Sequence, residues 1–493
     1  FGLTLLNTKH LLYLSKFCRF FASSCYLCVR TKPIIEMTKR NFFAAAVAAL
    51  LLVLSFSSCS NSNKLLETIP SSARAVARIN LMTIGNELGM KLEGDEVVVP
   101  ADLEPVFGKD DKKMGAMLKE VDAENIYAFM MDNSEPLAVF ALKSESGFIA
   151  AVEKISGKKA ETVDGYIVID DYVIKDGVAW GVPVVGPRAV EMVKEAQRKA
   201  ANGSMNDVEA VTDALDGDGL MNFAVQSPAG FVAGGKDEAK TVWTTGKLTA
   251  KGNALHLTAK AVNADGSDYK TDYLQDISTS VLQYAPKSSM LVAAMGLTDK
   301  IPWSTVSDVF SQIYALNATQ TAQMGMAVSM LQSLDGTVMA AVGPRGGLTP
   351  AQAFASAPEG IDFIVMAHLK QDKMDQILGL VNGITAGGGQ SVGPSLWKMP
   401  VSSDMTVYYG AVDGYLTVAS FEPRPDGGVG VQPFEGHDAG LCVDVPDVKA
   451  ALGRGKDPMG LKIVASGDGN EGEMTLTVEN TDKKVLVALL TMF

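Results

Sequence analysis

"VWTTGKLTAKGNALHLTAKAVN", Val242 to Asn263, decides how this chain is read. Its side chains alternate on both sides of Gly252 and Asn253. That pattern predicts two strands joined by a tight turn. Reading upstream, "VDGYIVIDDYVIKDGVAWGVP" (163–183) gives several short strands punctuated by Asp-Gly turns. "GPRAVEMVKEAQRKA" (186–200) opens with Pro187 at a helix start and carries apolar residues at helical spacing. "IYAFMMDNSEPLAVFALKSESGFIAAVEKI" (126–155) predicts a hairpin turned by Asn133 and Ser134, then a helix from Ser146. "IPSSARAVARINLMTIGNELG" (69–89) predicts a turn, a strand over 74–80 and a short helix.

Downstream, similar letters return. "APKSSMLVAAMGLTDKIPW" echoes "IPSSARAVARINL" at an offset of 217, and "IVASGDGNEGEMTLTVEN" echoes the opening hairpin at 219. Two matches in the same order at nearly one offset point to an internal duplication. "DGYIVID" and "DGYLTVA" match at 249, so the register drifts. A helical stretch over Asp299–Leu334 has no counterpart in the first half. The fold expected is α+β: two related modules, 69–280 and 281–493, with mostly antiparallel sheets and packed helices. The short turns, which join neighbouring strands directly, carry the antiparallel expectation. The C-terminal "VLVALLTMF" reads as a core strand.

Ahead of these modules lies an address. Phe42–Phe56 is a run of fifteen mostly apolar residues preceded by Met37, Lys39 and Arg40, the layout of a secretory signal. It is shorter than the roughly 20 residues of a spanning helix. "SFSSCSNSN" (55–63) follows, with Cys59 after Ser57 and Ser58. Residues 37–58 resemble a bacterial lipoprotein signal. That resemblance implies cleavage before Cys59 and acylation of its thiol and new amino terminus. Residues 59–68 then read as a polar tether. Residues 1–36, beginning at Phe1, are basic and apolar without a tidy period. They read as upstream translation or an extended leader, with Cys25 and Cys28 outside the mature chain.

The lipoprotein start, the "IPSSARAVARINL" opening and the recurring layout together resemble a family of uncharacterised lipoproteins from Bacteroidetes. The resemblance implies a cell-envelope location, anchored to the outer membrane. It assigns no activity and no functional residue except Cys59. The absence of an acidic cluster beside Cys59 favours the periplasmic side.

Charge and cysteine content narrow the partners. The chain has 43 basic and 56 acidic side chains, of which seven and one fall in residues 1–58. A chain cleaved before Cys59 keeps 36 basic and 55 acidic, a net charge of −19. That argues against nucleic acid or anionic lipid as a partner. With Cys59 acylated, Cys442 has no disulfide partner.

Motifs for chemistry are sparse. "GDGNEG" (467–472) has the letters of a dinucleotide fingerprint, but a strand and not a helix follows, which favours a hairpin turn. "LDGDG" (215–219) lacks calcium ligands at positions five and twelve, Leu220 and Ser227, so a helix end with a Gly turn is the better reading. His437 lies five residues before Cys442, with Asp438 and Asp444 able to orient its ring. A lone cysteine in an apolar strand is more often inert core. His256 and His368 lie in strands. The arginines of "VGPR", Arg188 and Arg345, could hold an anion, though a Gly-Pro turn leaving a strand explains the motif better. The methionines of "QTAQMGMAVSML" read as core filler. No GxSxG, P-loop or HExxH occurs. The sequence therefore predicts no catalytic, metal or cofactor-binding residue and no cofactor. It predicts a membrane attachment through Cys59 and a protein or glycan ligand. The functional expectation is a binding or scaffolding lipoprotein; the alternative is an envelope hydrolase using carboxylates among its 55 acidic residues.

Overall fold

The computed structural model describes residues 62–493 apart from 108–112, 132–135, 227–240, 271, 302, 304–330, 386–388, 404, 426–427, 429, 431, 452–457 and 493. Cys59, residues 1–58 and the turn at Asn133 and Ser134 lie outside the described residues. So do most of the helix expected over 299–334 and all of the methionine-rich stretch except Leu331. The described residues belong to one compact unit, 53–493.

In the first half the strands are β1 (Ala75–Ile79), β2 (Lys91–Glu93), β3 (Glu96–Val98), β4 (Val121–Met130) and β5 (Leu137–Leu142). Four short strands follow, β6 (Glu161–Val163), β7 (Tyr166–Ile169), β8 (Tyr172–Lys175) and β9 (Val178–Gly181), then β10 (Met221–Gln226), β11 (Val242–Lys251) and β12 (Ala254–Asn263). The second half holds β13 (Leu291–Leu297), β14 (Leu334–Pro344), β15 (Ile361–Leu369), β16 (Gln390–Gly393) and β17 (Leu396–Pro400). It closes with β18 (Thr406–Val412), β19 (Tyr415–Ala419), β20 (Ala439–Val445), β21 (Gly460–Asp468) and β22 (Glu471–Glu479). The longer helices are α1 (Leu81–Leu88), α2 (Glu145–Ser156), α3 (Pro187–Ala200), α4 (Glu209–Leu215), α5 (Gln371–Thr385) and α6 (Val485–Met492).

Among the described residues, twenty strands form one sheet, and β2 and β3 pair separately. Following the ladders, β9, β5, β4, β1, β10, β11 and β12 lie side by side. At β12 the sheet continues directly into β22, then β21, β20, β13, β14, β15 and β19. Every pairing is antiparallel.

This corrects the expected fold class. Strand outweighs helix, and a single sheet crosses residue 280, so the protein is not two α+β modules with packed helices. The edge that β12 would have exposed is paired from Ala254↔Thr477 to Lys260↔Glu471. Nor is an internal duplication in evidence. Alternating Thr, Lys and Leu is what any half-exposed hairpin carries, so matched letters need no common origin.

Local signals decide the elements. In α1, the Asn80 side chain accepts from the Thr83 amide at 2.9 Å, and Gly89 ends the helix at φ 68°. The Asp-Gly turns hold both residues at positive φ: Asp164 52° and Gly165 78°, Asp176 51° and Gly177 75°, Asp413 47° and Gly414 82°. That is the twist a two-residue hairpin needs. One discrepancy lies at the C-terminus, where Val485–Met492 is helix α6 and not a strand. A short, mostly apolar run fits either element, and packing decides.

The largest core lies on one face of the first half. Trp180, Trp243 and Tyr127 pack there beneath Val190, Val193 and Ala196 of α3. The chain is fastened early: Ser62–Leu66 is a short helix, and Leu65, Leu66 and Ile69 are buried in the same core. The stretch read as a tether is thus part of the globular body from Leu65 onward.

Candidate functional site

Where the sheet crosses from β12 to β22, one face is polar. Two registered rows span four strands there. One is Thr245, Lys260, Glu471 and Asp468; the other is Lys247, Thr258, Glu473 and Ser466. Strand alternation puts these side chains on a common face. With α4 and the following loop on one side and His437 on the other, they line a cleft of about 680 Å³.

Its charges are mostly tied to one another. Lys260 Nζ lies 2.8 Å from Asp268 Oδ1 and 2.9 Å from Glu471 Oε1. The hydrogen bonds to Asp268 and Glu471 raise its pKa above the ordinary lysine value. Lys247 donates to Asp218, and that bond lowers the Asp218 carboxyl. His437 Nδ1 sits 2.9 Å from both carboxylate oxygens of Asp468. The cleft is open to water: the Asp468 and Glu471 side chains are 59% and 62% exposed.

Two motifs weighed in the sequence meet here. "GDGNEG" is the β21–β22 turn, with Gly469 at φ 55° and its amide donating to Asp438 Oδ2 at 2.7 Å. No helix follows it, so a pyrophosphate cradle is not formed. "LDGDG" closes α4, and two of its carbonyls are already taken. Arg78 Nη1 donates to Leu215 O at 3.1 Å and Gly217 O at 2.6 Å. The guanidinium fills the role a bound cation would have had. Beside it, Asn222 Nδ2 donates to Ala214 O at 3.3 Å, while its buried Oδ1 has no partner.

The remaining candidates stay apart. Cys442 lies on β20 opposite Val292 and Val464, partly buried against the core around Phe434. Burial pushes its thiol pKa up, the opposite of what a nucleophile needs. His437 is engaged with Asp468, so the structure does not join it to Cys442 as a pair. His256 Nδ1 meets Thr475 Oγ1 at 3.1 Å across the β12–β22 seam. His368 Nδ1 contacts the Asp335 carbonyl, and its ring stands edge-on to Tyr415. Arg345 Nε bonds Asp362 Oδ1 at 2.8 Å and serves the fold, while Arg188 is exposed at the start of α3. Among the described residues, no group of three or more His, Cys, Asp and Glu is placed to hold a metal ion, and no helix is long and apolar enough to cross a membrane.

Sequence reasoning missed Lys247, Lys260, Glu471 and Glu473. Their alternation with apolar residues was visible. Their convergence depends on the β12–β22 seam, which joins positions such as His256 and Thr475, 219 residues apart. No protein-family model, curated protein or solved structure matches the chain.

Proposed function

We propose that this is a lipid-anchored cell-envelope protein that binds a polar ligand, a protein or a glycan, in the central cleft. The observation that carries the reading is the cleft itself, an open trough of exposed hydrogen-bonding side chains at the middle of a rigid sheet. Such a trough suits recognition. A carboxylate-based hydrolase would be better served by enclosed groups whose pKa values are driven apart. Acylation of Cys59 supplies the anchor. With Leu65 already buried, five residues lie between Cys59 and the body, a reach of at most about 20 Å. The binding surface is thus held close to the outer membrane, on its periplasmic face.

The test places a photo-crosslinking residue at Thr258 in the full chain in cells. Adducts to an envelope protein or glycan are expected; their absence removes the binding reading. A second reading stays alive because Asp468, Glu471 and Glu473 converge with His437 on one cleft. Release of soluble sugars or peptides from envelope preparations, lost in both Glu471→Gln and Glu473→Gln, would replace binding by hydrolysis. The anchor is tested apart from the cleft: Cys59→Ala abolishes labelling by a palmitate analogue. Labelling that persists in this variant would refute acylation at Cys59.

A further inference from the structure

The opposite face of the sheet carries the second signal. A registered row runs Ile79, Met221, Leu248, Leu257 and Met474 across β1, β10, β11, β12 and β22. It continues as Ala465, Leu441, Ala293 and Ala340 across β21, β20, β13 and β14. The next row holds only Gly or Ala between Phe223 and Met295. Neither row contains a charged or polar side chain. Met130, Val225, Leu291, Met295, Val365 and Val418 are exposed on this same face, Met295 at 43%. Helix α6 covers one margin, over Leu255, Leu461 and Leu476, and α5 covers another, over Val338, Ala367 and Leu416. Among the described residues, neither helix reaches the middle of this face.

We propose that this face is the interface between two copies of the chain. Three properties favour a second copy over other occupants. The first is area. Nine strands at about 4.8 Å, three side chains deep at about 6.6 Å, give roughly 850 Å², close to the ~800 Å² each partner contributes to a standard interface. The second is charge. The chain is acidic, with a formal net charge of −13, and this window is free of charge, so two copies meet here without like-charge contact. The third is shape. Along the first row the first-half residues are bulky, and Ala465, Ala293 and Ala340 in the second half are small. A two-fold axis lays the bulky half of each copy on the small half of the other, as a self-complementary interface requires. The backbones of these strands are paired on both sides, so the contact is face to face and not strand addition.

The test co-expresses full chains carrying two different tags and captures one. The other tag should be recovered, and native mass spectrometry of the captured protein should show two copies. Leu257→Asp with Leu441→Asp should lower recovery about tenfold or more, as expected for carboxylates buried without partners. Val225→Asp, at an exposed position, should act in the same direction. Thr258→Asp, on the polar face, should leave recovery unchanged. All variants are checked for an unchanged thermal melt. Recovery that fails for the unsubstituted chain overturns the proposal, and so does recovery insensitive to the apolar-face variants. A single copy carrying lipid, or a different protein held by this face, overturns it as well.

Discussion

Tyr172 and Tyr284 show what burial does to single side chains. Burial first, then Asp171 and Asp170, pushes the Tyr172 phenol up to about 12. Burial first, then the hydrogen bond it donates to Asp413, does the same for Tyr284, also to about 12. Absorbance titration should therefore show a late tyrosinate phase near pH 12, absent when both are Phe. Both folded values lie above the ordinary value near 10, so these groups stabilise the fold fully below pH 10. That contribution is lost as pH rises toward 12. Cys442 follows the same logic of burial, and alkylation at pH 7 should be slower than for a free thiol; a fast reaction would contradict its placement. Arg78 is the residue on which the 215–219 loop depends. Arg78→Met leaves two carbonyls without their donor and should cost about 2–3 kcal/mol in urea unfolding. Nothing in the local sequence marked that role, because "ARIN" and "LDGDG" are brought together only by the pairing of β1 with β10.

At the level of elements, much was legible because the signals are local. Asp-Gly pairs must take positive φ, Asn80 and Gly89 bracket α1, and Pro187 opens α3. The failures share a cause as well. The run from Val485 has a single polar residue, Thr491, too little to set a period, and it becomes α6 because its helical face covers the Leu255, Leu461 and Leu476 patch. Ala488 is fully buried there. Ala488→Asp should destabilise the protein by about 3 kcal/mol or more, measured by chemical denaturation. If it costs under 0.5 kcal/mol, α6 is not a packed element. Register between distant strands was not legible at all. Alternation says which residues share a face, and it does not say which strand comes alongside.

For the whole molecule, that missing information is the seam. Two hairpins that each look complete in the sequence pair with one another, and the pairing creates both the polar cleft and the uncharged window behind it. The seam also sets a schedule. Synthesis runs from the first strand to the last, and His256 and Thr475, bonded across the seam, are made 219 residues apart. At about 5–20 residues per second, β12 waits roughly 10 to 40 seconds for β22. Through that interval it is a bare edge bearing Leu255 and Leu257, the kind of surface that recruits other chains. A polypeptide stopped at Asn470 would keep that edge permanently. The final strand therefore acts as a clock, and the risk of aggregation falls on chains caught before it runs out.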